Sequence, residues 1–183
     1  MPFPRNWLEE LCAEYACLRG YSVETDLPYP IGKKGGRQEF DVLGSKLDDK
    51  GNCSILHIEA GRAGSLAQRI EKVKKQLLDR HIDEELEKRF KTRKRDRWFV
   101  VEDIIKDGKV HKDLKNFCGE NHVKLVVFED LLDLVKSAMD EWKENHKTKK
   151  GSDPTLPESL WLMKLLDRIW STKNESSTEQ VSK

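Results

Sequence analysis

Cysteine is scarce in this chain, and its spacing leads nowhere. Four cysteines, Cys12, Cys17, Cys53 and Cys118, stand among 183 residues, and none forms a C-x-x-C pair. A metal knuckle or disulfide framework would need tighter pairing, so these read as reduced thiols used as small buried hydrophobes. Cys12 and Cys17, five residues apart on a predicted helix, do not share one face well. Long apolar runs are also missing: nothing approaches the roughly 20 residues that span a bilayer. The opening "MPFPRNWLEE" lacks the apolar stretch of a secretory signal. These absences predict a cytoplasmic protein with no membrane partner. Neither charge sign dominates, because 34 Lys and Arg against 33 Asp and Glu leave a net charge of +1. Bulk charge therefore neither requires nor excludes nucleic acid, and local clustering has to decide.

What is present suits one α/β domain of ordinary size. Hydrophobic and charged residues each make up 37% of the chain, as in a folded domain with a modest core. Residues 4–19 read as a helix, capped by Asn6, with Trp7, Leu11, Tyr15 and Leu18 recurring at steps of three and four, and Gly20 ends it. "YSVETDLPYPI" reads as an extended edge, and "GKKGGR" as a turn. "QEFDVLGSK" and "CSILHIEA" read as two strands joined through Lys50-Gly51-Asn52.

From Ser65 the period is helical, with Leu66, Ile70, Val73 and Leu77 in one stripe that Leu78, Ile82 and Leu86 continue. A strand over 97–103, a helix ending near Gly119, the strand "VKLVVF" and a long amphipathic helix follow. The expected order is helix, three strands, helix, strand, helix, strand, helix. Short connections among the first strands and helical ones later predict a mixed central sheet. The main α/β domain is placed at 1–147, a linker at 148–156, a C-terminal amphipathic helix at 157–171 and a polar, disordered tail at 172–183.

Two acids interrupt the strand patterns. Asp41 lies between Phe40 and Val42, and Glu59 closes Ile55-Leu56-His57-Ile58. If these strands pair through their hairpin, alternation lets both carboxylates project toward one spot. Two carboxylates that close stay ionised only with a cation between them, and a hard Mg²⁺ or Mn²⁺ with oxygen ligands would serve. His57 shares the face of Glu59, either as a further ligand or phosphate contact or as a packed, hydrogen-bonded core histidine.

This pattern resembles the PD-(D/E)XK, or restriction-endonuclease-like, nucleases, and within them the Mrr and Holliday-junction-resolvase branches. Asp41 in "EFDVLG" matches the family aspartate, and Glu59 in "HIEAG" matches the glutamate of Glu-x-Lys. Glu9, in the helix before Gly20-Tyr21, falls at the position of the helix glutamate; Glu10 and Glu14 are weaker matches. The resemblance spans roughly residues 5 to 130. It implies a core of helix, three antiparallel strands, helix and strand, with a C-terminal helical appendix. It implies a metal-dependent deoxyribonuclease in which Asp41, Glu59 and the carbonyl of Ala60 hold the ion and Glu9 supports it.

The family lysine should stand at 61, where this chain has Gly61. Arg62, Gln68 or Lys72 could supply the missing group, metal alone could activate the water, or the fold could bind nucleic acid or a partner protein without cutting. Helical geometry does not choose: Lys72 lies well off the core side, Gln68 lies nearly opposite it, and Arg62 would point to the other sheet face.

Basic clusters suggest where DNA would lie. Lys33, Lys34 and Arg37 sit on the glycine-rich turn before the Asp41 strand, and Arg62 follows the Glu59 strand. "KRFKTRKRDR", 88–97, packs seven basic residues around one aspartate, as a phosphate surface or a solvated connection. The last helix carries Leu160, Trp161, Leu165, Ile169 and Trp170 and is expected to fold back on the domain or to join two subunits of a homodimer.

Overall fold

The computed structural model describes residues 6–29, 38–61, 64–147 and 154–179. Its elements are α1 (Trp7–Leu18), β1 (Ser22–Tyr29), β2 (Gln38–Leu47), β3 (Cys53–Gly61), α2 (Leu66–Gln76), α3 (Arg80–Phe90), β4 (Arg95–Val101), α4 (Lys109–Glu120), β5 (Val123–Val127), α5 (Phe128–Asn145) and α6 (Trp161–Glu179). The five strands form one sheet in the order β1-β2-β3-β4-β5. The first three pair antiparallel, and β3-β4 and β4-β5 pair parallel. This is the mixed α/β arrangement expected from the connections, since a parallel step needs a crossover long enough to hold a helix.

Local chemistry explains the joints. Asn6 caps α1 by accepting the Leu8 N–H at 3.2 Å, and Gly20 adopts φ +82° just past the helix end. In the β2-β3 hairpin, Asp48 Oδ1 accepts the N–H groups of Lys50 and Asn52, and Gly51 takes φ +79°. The two faces of the sheet then bury separate cores. Val42, Leu56, Ile58, Ala60 and Val100 pack against Leu8, Leu11 and Cys12 of α1 and Leu131 and Val135 of α5. Phe99 and Val101 pack against Val73 of α2 and Leu114 of α4, while Leu43 and Ile55 pack against Ile82 and Leu86 of α3.

Two expectations need correction. The helical stretch after Ser65 is two helices, because the Asp79 side chain accepts the His81 N–H at 2.8 Å and starts α3 afresh. The apolar stripe carries through the break, which is why periodicity alone hides it. The last helix runs to Glu179 rather than ending at 171. Its polar segment contains no proline or glycine to stop it, and the hydroxyls of Ser171 and Thr172 donate back to the carbonyls of Asp167 and Arg168. The cysteine expectation holds for Cys12 and Cys118, which are buried thiols, whereas Cys17 is exposed.

The last helix folds back on the domain. Leu160 and Met163 are buried beside Leu156, while Trp161, Leu165 and Ile169 remain exposed on the outer face. An acid from α1 secures the junction: Glu14 is buried and accepts the N–H groups of Leu162 at 2.9 Å and Met163 at 2.8 Å. A carboxylate at a helix N-terminus satisfies orphan donors and opposes the helix dipole. Glu14→Ala strands these donors, and we expect it to lower the unfolding free energy by about 1–3 kcal/mol. Glu14→Gln, which keeps an acceptor, loses less; urea melts of both variants check the ranking.

Candidate functional site

The site forms where the β2-β3 ladder stops. Val42 and Ile58 make its last rung. Beyond it, side chains take over the backbone bonding: Asp41 Oδ2 accepts the Ala60 N–H at 2.8 Å, and the Asp41 N–H lies 3.5 Å from Glu59 Oε1. The two acids that the alternation pattern selected therefore meet, one on each strand end.

Lys72 joins them. Its Nζ donates to the Ala60 carbonyl at 2.6 Å and to Asp41 Oδ2 at 3.1 Å, and stands 3.7 Å from Glu59 Oε2. It arrives from α2, the helix that follows β3. Of the replacement groups considered for the missing lysine, Gln68 is turned elsewhere: its Oε1 accepts the Ser65 N–H at 2.8 Å in a capping box at the start of α2. Arg62 lies outside the described residues, as do Lys33, Lys34 and Arg37.

Gly61 has a steric cause. A Cβ built there would sit 2.7 Å from Phe99 Cζ and 3.0 Å from Cε2, and Phe99 is fully buried. The neighbouring strand has filled the space that a side chain at 61 would use. A lysine serving this site has to come from another element, and α2 supplies it.

Burial grades the cleft. Glu59 and His57 are fully buried, whereas the side chains of Asp41 and Lys72 keep 18% and 30% exposure, so the site opens on their side. Burial pushes the Glu59 carboxyl well above its ordinary range; the charge of Asp41 adds to this and Lys72 opposes it. Glu9 lies within electrostatic reach on α1. Burial and then Asp41 raise its carboxyl, while a hydrogen bond from Asn6 and the charge of Lys72 work the other way. Glu14, by contrast, is committed to α6.

His57 is part of the site through Glu59. Its Nε2 lies 2.9 Å from Glu59 Oε1, and its Nδ1 faces Arg95 Nη1 at 3.5 Å. Burial, then Arg95, Arg97 and Lys72, hold the imidazole well below its usual range. Arg95 belongs to the basic segment 88–97, whose arginines the fold itself uses. Arg89 pairs with Glu24, Arg93 with Glu87, and Arg95 and Arg97 both with Asp83. Composition marks that segment as a charge cluster; only the structure assigns it these partners.

The donor set bears on whether a dication fits. Among the described residues, no group of three or more His, Cys, Asp or Glu is placed to hold a metal ion. The oxygens here are two carboxylates and one backbone carbonyl, all hard ligands. Glu59 Oε2 is buried without a hydrogen-bond partner, an orphaned acceptor directed toward the point where the other two oxygens meet the ammonium. The set fits Mg²⁺ or Mn²⁺ provided that Lys72 moves aside, which its partly exposed, four-carbon stem permits.

Two outcomes follow from this geometry. Gly61→Ala or Gly61→Lys forces Phe99 to shift, and we expect losses of about 1–3 kcal/mol in chemical denaturation rather than an improved site. Because the folded chain holds the Glu59 proton more tightly than the unfolded chain, stability declines as pH rises from the ordinary carboxyl range toward the raised folded value. Glu59→Gln cannot ionise, so in chelator-treated buffer at neutral pH it should melt higher than wild type, by on the order of 1 kcal/mol. The difference should vanish in acid, and melting across pH measures it. Comparison of the chain with family models, with curated proteins and with solved structures gives no match.

Proposed function

We propose that this domain is a metal-dependent nuclease of restriction-endonuclease-like fold that hydrolyses DNA phosphodiester bonds. The observation that carries the reading is the convergence of Asp41, Glu59 and Lys72 at the divergent end of β2 and β3, with the ammonium within 3.1 Å of one carboxylate and 3.7 Å of the other. The order α1, β1-β2-β3, α2, α3, β4 supports the reading, with one helix more than the core that the resemblance implies. Asp41, Glu59 and the Ala60 carbonyl are the groups that would hold Mg²⁺ or Mn²⁺. The ion, when bound, polarises a phosphodiester and lowers the pKa of an attacking water.

The chain's own contribution is positioning and charge. Lys72 delivers a cation to the open side of the cleft, where it can bind a phosphate oxygen or orient water once it leaves the Ala60 carbonyl. Glu9 adds a carboxyl from α1, coupled electrostatically to Asp41 and Lys72, that would support the ion. The wall at Gly61 and Phe99 is apolar and closed, which confines the polar groups to the Asp41 side.

A second reading, a nuclease-fold domain that binds nucleic acid or a partner protein without cutting, draws on a different aspect of the same contact. An ammonium already bonded to Asp41 and Ala60 and paired with Glu59 can act as a permanent internal counter-ion. Assays on single-stranded, duplex and branched DNA with Mg²⁺ or Mn²⁺ separate the two. The nuclease reading expects products that disappear in Asp41→Asn, a change that keeps an acceptor for the Ala60 N–H. It also expects Lys72→Met to slow turnover by about 10²–10⁴-fold, the usual worth of a positioned proton-transfer group. Salt-sensitive binding with no product in any of these proteins sinks it in favour of the second.

A further inference from the structure

Asp41, Lys72 and Glu59 leave one question about the cleft: what aims the Glu59 carboxyl. Its Oε2 faces Lys72 without a hydrogen bond, so the side chain must be held from its other oxygen. That oxygen, Oε1, meets the Asp41 N–H at 3.5 Å and, much closer, His57 Nε2 at 2.9 Å. The ring is fixed in turn by an edge-to-face contact with Phe40, with centroids 4.9 Å apart and planes at 83°, and by Arg95 at its far nitrogen.

We propose that His57 is a positioning residue for Glu59, turned by Arg95 so that Nδ1 accepts and the proton on Nε2 is donated to Oε1, which leaves Oε2 aimed at the cation position. A guanidinium has only N–H donors, so the nitrogen facing Arg95 has to be the acceptor. The proton then resides on Nε2, the nitrogen that faces the carboxyl. The opposite tautomer would set an N–H against the guanidinium N–H groups, donor against donor, in a site with no exposure for His57.

Arg95 is itself immobilised. Its Nη2 donates to the Leu77 carbonyl at 2.9 Å, at the C-terminal end of α2, and lies 2.6 Å from Asp83 Oδ1 in the first turn of α3. The joint between α2 and α3 thus supplies both anchors. A chain Asp83, Arg95, His57, Glu59 runs from the surface of α3 to the cleft, and its last member presents a bare oxygen to whatever cation occupies it. Groups of this kind, hydrogen-bonded behind a metal ligand, govern how well that ligand binds.

The tautomer can be read directly. Long-range ¹H–¹⁵N correlation on histidine-labelled, chelator-treated protein should show the His57 proton on Nε2; a proton on Nδ1 overturns the proposal. The consequence for the cleft rests on the nuclease reading and is measured without turnover, by Mn²⁺ binding followed by electron paramagnetic resonance. His57→Met should weaken Mn²⁺ binding about 10- to 100-fold. His57→Gln, whose side-chain amide can donate to Oε1 as Nε2–H does, should recover most of the loss. A folded His57→Met variant that binds Mn²⁺ like wild type overturns the proposal. If wild type takes up no Mn²⁺, the nuclease reading falls, and the tautomer alone decides the role of His57.

Discussion

One ammonium closes the end of the sheet. Past the Val42–Ile58 rung the backbones of β2 and β3 no longer serve each other, and the Ala60 N–H turns to Asp41 instead. That substitution brings a second acid next to Glu59, which is fully buried, and two such groups repel strongly in a medium of low dielectric. Lys72 offsets the repulsion by placing its charge on Asp41 and the Ala60 carbonyl within ion-pair range of Glu59. The same electrostatics underlie the proposed chemistry.

The rest of the fold holds these groups at fixed positions. The parallel register of β3 with β4 sets Phe99 beside Glu59 and over Gly61, which closes the route that a lysine at 61 would take. The break after Leu77 turns a carbonyl and an aspartate toward Arg95, so a guanidinium whose burial draws its pKa down to about 10 still finds partners. The arginines of the basic segment thereby have acidic partners within the fold, Glu24 of β1 and Asp83 and Glu87 of α3. On the opposite face, Glu14 ties α6 to α1 by the same principle of an acid meeting unsatisfied N–H groups.

The parts of this structure that were legible in the sequence are those governed by short-range periodicity. Two-residue alternation in "EFDVLG" and "CSILHIEA" was enough to bring Asp41 and Glu59 to one place, because a hairpin register propagates along its whole length. The split between α2 and α3 escaped because its apolar stripe is continuous across Asp79. The role of Glu14 escaped because its partners lie about 150 positions away, in a helix whose docking no local pattern records. Lys72 was one of several candidates. An angular position on a helical wheel says which way a Cβ points, but not where a flexible side chain ends.

By itself, then, the sequence determined the element types, the mixed sheet and the two acids that meet, since each follows from propensity, hairpin connectivity and a period of two or 3.6. Only the tertiary structure decided why position 61 is glycine, which base reaches the acids, and what holds Glu59 from behind. Those answers depend on Phe99, Lys72 and Arg95, residues brought in by β4 and α2. The contacts they make are set by how helices pack across the sheet, and such long-range packing leaves no periodic trace in the chain.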